Sequence, residues 1–326
     1  MNAIAVDQAA LADARRFNRK LAWAPRFRIR NRVMPALIQG LLRLGQLGAK
    51  RKLARRRIAL QTILAQADGH TVPVRVLRGA QPATGVVLDI HGGGWVIGNA
   101  AMDDGQNAAF IEACGVAVVS VDYRLATGTP LAGLMTDCLT AARWLLGGAP
   151  ADLAGLPVFV VGESAGGHLA AAMLLELQAW PALFARVRGA ILYYGVYDLA
   201  GTPGVHGAGP DTLVLDGPGM ASALRRLTPG LSDADRRTAP LSPLFGDLRG
   251  MPPALMVAGA RDPLQGDTVA MAASWRRAAS CEMHVVPECP HGFIRFPTVL
   301  AGRTVARSHA WLNAHLARAA AVAPAD

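Results

Sequence analysis

The segment VFVVGESAGGHLAAA, residues 158–172, decides how the rest of the chain is interpreted. A short apolar run rich in β-branched residues ends at Gly162, and good helix formers begin at Ala165. Ser164 lies between them in a G-x-S-x-G pattern, which is typical of a sharp strand-to-helix turn that lifts a hydroxyl above a sheet. Such a turn needs residues without Cβ, and the following helix aims its N–H groups at the same place. A glycine-rich loop with an incidental serine is the alternative.

Strand and helix patterns alternate along most of the chain. Residues 58–67 and 72–77 alternate in polarity around DGH at 68–70, which predicts an antiparallel hairpin. The later alternation predicts an α/β fold with a mostly parallel central sheet flanked by helices. The predicted strands are 85–90, 116–121, 158–161, 190–194, 254–257 and 282–286, and the predicted helices are 102–113, 134–146, 165–178, 267–279 and 301–320.

Two regions do not follow this alternation. Residues 1–57 have helical, amphipathic and basic patterns and precede every predicted strand, so we expect them to pack over the sheet as a lid. Residues 199–245 are rich in Gly, Pro and Asp, and an insertion of this length is typical of a functional cap. We therefore expect an N-terminal helical cap segment at 1–57 and a catalytic domain at 58–326 that carries a cap insertion at 199–245.

The positive charge is concentrated at one end of the chain. The net charge is +10, but residues 1–57 hold 15 basic residues against 2 acidic ones, and the remainder holds 18 against 21. The basic segment has neither interleaved aromatic residues nor a DNA-binding motif, so we expect no nucleic-acid partner. Contact with an anionic membrane surface is an alternative, but a solvated helix face is favoured.

The N-terminus and the cysteines bear on location and on metal binding. No apolar run reaches the length of a membrane-spanning helix, and the first residues show no basic region followed by an apolar core. The cysteines lack metal-ligand spacing and resemble free thiols of a reducing compartment. We expect a cytoplasmic protein without a metal site. The four cysteines are Cys114, Cys138, Cys281 and Cys289.

A serine nucleophile needs a histidine base, which in this type of sheet follows the last strand. His291 has that position, in the loop after the predicted strand at 282–286. His168 is predicted one helical turn past the serine and directed away from it. The remaining histidines after the serine are His206, His284, His309 and His315.

The base in turn needs a carboxylate that holds its other ring nitrogen. Asp262 lies just past the predicted strand at 254–257, where α/β sheets place their sites. Asp267 is an alternative acid, although it also suits a helix N-terminus. Asp198, after the preceding strand, is a weaker alternative.

Backbone N–H groups must stabilise the oxyanion. One donor is expected from Ala165, the residue after the nucleophile, and others from the HGGG loop at residues 91–94. A phosphate-binding loop is the competing interpretation, but the chain has no G-x-G-x-x-G and no P-loop lysine here. Trp95 and Tyr194 are candidate substrate contacts by position, and ordinary packing is an equal alternative.

Taken in order, these motifs resemble those of the bacterial hormone-sensitive-lipase-like esterases of the α/β-hydrolase fold. The resemblance covers about residues 85–296, and the stretches 127–132 and 265–267 depart from the family pattern. The matching pieces are HGGGW at 91–95, DYRLA at 122–126, GESAGG at 162–167, SPL at 242–244, GMPPA at 250–254, DPL at 262–264 and HGF at 291–293.

The resemblance implies a triad of Ser164, Asp262 and His291. It also implies an oxyanion hole made by the N–H groups of Gly93, Gly94 and Ala165, a cap over the site, and pairing as a homodimer. Our leading hypothesis is a serine carboxylesterase that hydrolyses small-molecule esters with short acyl chains and needs no cofactor. An amidase, peptidase or acyltransferase could use the same site, and a non-catalytic small-molecule binding protein is the remaining alternative.

Overall fold

An eight-stranded sheet forms the centre of the molecule. The structure is a computed structural model that describes residues 3–28 and 33–322. The strand order is β1-β2-β4-β3-β5-β6-β7-β8; β1 and β2 are antiparallel, β2 runs antiparallel to β4, and all other neighbours are parallel. The mostly parallel sheet is as predicted. The strands are β1 (Ala59–Ala67), β2 (His70–Arg78), β3 (Val86–Ile90), β4 (Ala117–Val121), β5 (Val158–Glu163), β6 (Val187–Tyr193), β7 (Ala254–Gly259) and β8 (Cys281–Val286).

Helices cover both faces of this sheet, which explains why the central strands are apolar on both sides. Along β5, Val158 and Val160 belong to one hydrophobic core, whereas Phe159 and Val161 belong to the other. The α-helices are α1 (Gln8–Leu21), α2 (Val33–Gly45), α3 (Ala49–Arg55), α4 (Asp104–Cys114), α5 (Leu131–Gly147), α6 (Ala165–Leu177), α7 (Pro181–Phe184), α8 (Pro203–His206), α9 (Met220–Leu227), α10 (Asp233–Arg236), α11 (Gln265–Arg276) and α12 (Val299–Val322).

The first core is filled by α5, α6 and α11, and the second by α1, α4 and α12. Within the first core, Leu145 of α5 and Leu169 of α6 are fully buried, as is Trp275 of α11. Within the second core, α1 packs on α12, and Arg303 of α12 donates a hydrogen bond of 2.7 Å to Asp7. The first helix therefore lies against the body of the domain.

Segments from both predicted cap regions meet above the carboxyl edge of the sheet. Phe27 forms a short β-bridge with Leu215, in which the Phe27 N–H donates to the Val214 carbonyl at 2.6 Å. The insertion holds α8, α9 and α10, of which α9 matches the predicted helical patch at 219–227. The N-terminal segment and the insertion are thus joined by backbone hydrogen bonds.

Candidate active site

The turn around Ser164 has the strained backbone that its sequence predicts. Ser164 lies between β5 and α6 with φ 53° and ψ −120°, a conformation that residues with a side chain rarely adopt. A Cβ at Gly166 would lie 1.9 Å from the Ile90 carbonyl oxygen, so only glycine permits the close approach of α6 to β3. The serine N–H is held by the Tyr193 carbonyl at 2.9 Å.

Three side chains from separate strand ends form one hydrogen-bonded chain. The Ser164 hydroxyl lies 2.8 Å from His291 Nε2, and His291 Nδ1 lies 2.8 Å from Asp262 Oδ2. A carboxylate can only accept, so Nδ1 carries the imidazole proton and Nε2 is free to accept from the serine. The other Asp262 oxygen accepts the Leu264 N–H at 2.9 Å, which fixes the orientation of the carboxylate. The structure brings together all three residues that were predicted as a triad.

The alternative acids are engaged elsewhere. Asp267 accepts hydrogen bonds from the backbone N–H groups of Tyr197 and Asp198 and from the Thr202 hydroxyl at 2.6 Å. Burial raises the pKa of Asp267 to about 6. Asp198 is paired with Arg237. Both carboxylates therefore hold the loop after β6 and do not contact His291.

His168 also has partners outside the triad. Its Nδ1 accepts from the indole N–H of Trp95 at 3.2 Å, and its Nε2 donates to the Leu241 carbonyl at 2.8 Å. Burial lowers the pKa of His168 to about 4, which favours the neutral ring that these two contacts need. His168 thus links the loop after β3 to the insertion.

The HGGG loop presents unpaired backbone donors beside the serine. Gly93 and Gly94 have φ of 112° and 57°, and a Cβ at Gly93 would lie 2.2 Å from the Ile97 carbonyl oxygen. Across the described ranges 3–28 and 33–322, no residue accepts a hydrogen bond from the N–H of Gly93 or Gly94. The Tyr123 hydroxyl donates a hydrogen bond of 2.7 Å to the His91 carbonyl, which holds the loop in place.

A narrow pocket of about 80 Å³ opens onto the Ser164 hydroxyl. Its wall contains Trp95 from the HGGG side and Leu264 from the loop after β7. Tyr194, predicted as a second substrate contact, lies outside this wall: it is fully buried, and its ring packs edge to face on His291 at 4.9 Å. The remaining lining comes mainly from the N-terminal segment and the insertion, and consists of Phe27, Gly94, Val196, Leu215, Asp216, Gly219, Met220, Ala223, Leu224, Arg226 and His291.

An ion-pair cluster beneath the site is absent from the sequence predictions. Arg295 donates to both carboxylate oxygens of the buried Glu163, at 2.8 and 3.0 Å, and also pairs with Asp103. Tyr194 donates its hydroxyl to Glu163 at 3.2 Å. Burial raises the pKa of Glu163, whereas the charge of Arg295 opposes that rise. The cluster ties the residue before the nucleophile to the chain just after His291.

We expect Arg295→Met to destabilise the fold, because it leaves Glu163 and Asp103 buried without a cation. The loss should be about 2–3 kcal/mol, less than for a fully buried pair because the Arg295 side chain is 31% exposed. Arg249→Met is the matched control, since it removes an exposed pair with Asp247. Urea unfolding of both variants measures the difference, and equal losses would contradict the structural role of the cluster.

The residues that the structure describes were searched for metal-binding clusters and for membrane-spanning helices. Among them, no group of three His, Cys, Asp or Glu side chains is placed to hold a metal ion. None of the described helices is both long and apolar enough to cross a bilayer. The four cysteines are free thiols, and three of them are buried.

Comparison with known proteins gives the family. A model of the alpha/beta hydrolase fold matches residues 87–295. Carboxylesterase NlhH of Mycobacterium tuberculosis is 33% identical over 249 residues, which cover 72% of this chain and 75% of that protein. Ethyl acetate hydrolase of Pseudomonas putida is 32% identical over 247 residues, covering 73% and 76%. The chain belongs to this α/β-hydrolase family, and the resemblance predicted from the ordered motifs is confirmed.

A solved structure extends the similarity beyond the matched core. Esterase LipW from Mycobacterium marinum superposes with a TM-score of 0.81 at 26% identity and covers 96% of this chain and 98% of that one. The similarity in fold therefore includes the N-terminal helical region as well as the sheet.

Proposed function

We propose that the protein is a serine carboxylesterase in which Ser164 is the nucleophile, His291 the general base and Asp262 the acid of the triad. Homology to curated carboxylesterases makes it a carboxylic ester hydrolase. The observation that carries the residue assignment is the hydrogen-bonded chain that joins Ser164, His291 and Asp262. The Ser164 end of this chain lies in the wall of a pocket.

In the first half of the reaction, the Ser164 oxygen attacks the ester carbonyl carbon while its proton moves to His291 Nε2. The carboxylate of Asp262 stabilises the imidazolium through Nδ1–H. The carbonyl oxygen becomes an oxyanion, which the N–H groups of Gly93, Gly94 and Ala165 and the N-terminus of α6 stabilise. The tetrahedral intermediate then expels the alcohol, which takes the proton from His291 and leaves an acyl-serine.

In the second half, a water molecule replaces the alcohol. His291 accepts a proton from that water as it attacks the acyl carbon, and the same N–H groups hold the second oxyanion. Collapse returns the proton to the Ser164 oxygen and releases the carboxylic acid. Every proton transfer in this scheme uses the same imidazole nitrogen, His291 Nε2.

We expect short-chain acyl esters to be the preferred substrates, because the pocket at Ser164 is narrow and is lined by Met220 and Leu224 of the insertion. In a p-nitrophenyl ester series from acetate to palmitate, kcat/KM should be highest at the short end and should fall by at least about 100-fold at palmitate. Equal or rising values toward palmitate would contradict the short-chain assignment while leaving the esterase assignment intact.

Gly93 offers a test of the oxyanion hole. Gly93→Ala places a Cβ against the Ile97 carbonyl oxygen in a backbone conformation that alanine rarely adopts, so the loop must shift. Losing one oxyanion donor typically costs about 10²–10³ in kcat, and we expect a loss in that range. Gly105→Ala is the matched control, since a Cβ there meets nothing within 4 Å. An unchanged kcat for Gly93→Ala would exclude this loop as a donor.

A further inference from the structure

The helix α2 exposes a row of leucines to solvent. Leu37, Leu41 and Leu44 follow the i, i+4, i+7 spacing of one helix face and are 60%, 68% and 62% exposed, and Leu47 just beyond the helix is 72% exposed. An amphipathic helix of a globular domain normally turns such a row toward the core. A contiguous exposed apolar row is therefore a candidate interaction surface.

Hydrogen bonds on the opposite side of α2 fix this orientation. The Gln39 side chain accepts from the Gly98 N–H at 2.8 Å and donates to the Gly98 carbonyl at 2.9 Å. Gln46 exchanges a similar pair with the Asn99 amide at 2.8 and 2.9 Å. The polar side of the helix is thus attached to the loop that follows the HGGG residues, and the leucines point outward.

The surroundings of the leucine row are strongly basic. Residues 33–57 contain seven Lys or Arg residues and no acidic residue. Four basic residues of α3 are exposed and form no ion pair with any described residue; they are Lys50, Arg51, Lys52 and Arg55. Outside this segment the chain holds 26 basic residues against 23 acidic ones, so +7 of the net charge of +10 lies in residues 33–57.

We infer that the leucine face of α2, defined by Leu37, Leu41 and Leu44, together with the basic residues of α3, docks the protein on an anionic lipid bilayer. Apolar side chains on one face with flanking Lys and Arg are the features that let a helix lie in the plane of the lipid headgroups. At 13 residues α2 is about 20 Å long, too short to span a bilayer.

A second copy of the chain is the less suitable occupant. A symmetric dimer through this face would use the same patch on both subunits and would bring its uncompensated basic residues near their own copies. An anionic lipid bilayer offers apolar acyl chains to the leucines and negatively charged headgroups to the basic residues. Because Gln39 and Gln46 attach α2 to the loop beyond Trp95, docking would also hold the active-site side of the molecule close to the membrane.

The experiment is flotation of full-length Ser164→Ala protein with vesicles, so that hydrolysis plays no part in binding. Vesicles of phosphatidylcholine containing phosphatidylglycerol should bind the protein, and vesicles of phosphatidylcholine alone should bind it much more weakly. Raising the salt concentration should weaken binding to the anionic vesicles, because the basic residues act through screened charge.

Two substitution sets separate the apolar and the charged contributions. Leu37→Ser/Leu41→Ser/Leu44→Ser should weaken binding at least about 100-fold, given the apolar area withdrawn from water when three leucines insert. Binding to the anionic vesicles should also weaken by about 100-fold in Lys50→Gln/Arg51→Gln/Lys52→Gln, because each basic residue near such a surface contributes to the binding free energy. Controls with matched exposed residues elsewhere should bind normally; they are Leu64→Ser/Leu231→Ser/Phe245→Ser and Arg276→Gln/Arg277→Gln/Arg318→Gln.

Each contrary outcome overturns the inference. Absence of binding to anionic vesicles, or unchanged binding of the leucine variant, contradicts docking through α2. A dimer in light scattering that the leucine variant dissociates, without vesicle binding, assigns the face to a second copy. Hydrolysis of soluble p-nitrophenyl acetate by the leucine substitutions in the wild-type background should be unchanged, which distinguishes a failed docking surface from a damaged active site.

Discussion

Ser164→Ala is expected to lower kcat for ester hydrolysis by about 10⁴–10⁶-fold, the range seen when the nucleophile of a catalytic triad is removed. The reason is that, among residues 3–28 and 33–322, Ser164 supplies the one hydroxyl that is hydrogen-bonded to His291 Nε2. The fold should be retained, since alanine replaces serine in a conformation that is equally strained for both. Initial rates with p-nitrophenyl acetate and a thermal melt of the same sample measure both quantities.

Ser274→Ala is the control for this substitution. Ser274 lies on α11, and its hydroxyl accepts a hydrogen bond of 2.9 Å from the exposed Arg277. This variant should keep wild-type kcat and stability. Retention of more than about one per cent of activity by a folded Ser164→Ala protein would mean that another group is the nucleophile.

The second large effect on kcat is expected from substituting Asp262, the acid of the triad. Asp262→Asn replaces the carboxylate that fixes the His291 tautomer, and an amide in its place permits the wrong tautomer at Nδ1. By the behaviour of such triads, we expect kcat to fall by about 10⁴-fold while KM changes little. Steady-state kinetics of the purified variant measures both constants.

Asp267→Asn is the matched comparison, because Asp267 lies five residues later and was the alternative acid. It should leave kcat within a few-fold of wild type and should lower stability by about 1 kcal/mol, since its amide group replaces an oxygen that accepts from Thr202. Asp198→Asn should likewise spare kcat. A reversed result, with Asp267→Asn inactive and Asp262→Asn active, would contradict the assignment of the acid.

The parts of the molecule that follow from local pattern could be predicted from the sequence. The apolar run before Gly162 and the glycines that flank Ser164 predict the strand-to-helix turn, because steric contact at Gly166 admits no side chain. Chain order in a parallel sheet brings residues after successive strands to one edge. For that reason His291 and Asp262 could be placed beside the serine without any structural information.

The parts that depend on side-chain direction could not be predicted. Tyr194 directly follows β6, which ends at Tyr193. Its position in the sequence does not reveal that its ring packs against His291 and does not line the pocket. Arg295 reaches Glu163 across 132 positions, and no local pattern encodes that pair. The helical period of α2 reveals an amphipathic helix, but which face meets solvent follows only from its hydrogen bonds to Gly98.

The central claim is that Ser164 is the activated nucleophile, and covalent labelling tests it most directly. An aryl dialkyl phosphate is attacked at phosphorus by an activated serine, which releases the phenolate and leaves a dialkylphosphoryl serine. Peptide mapping by mass spectrometry should locate one such adduct on Ser164 in the wild type and in Ser274→Ala, and none in Ser164→Ala. An adduct on another residue, or an unlabelled wild type that still hydrolyses esters, would contradict the account.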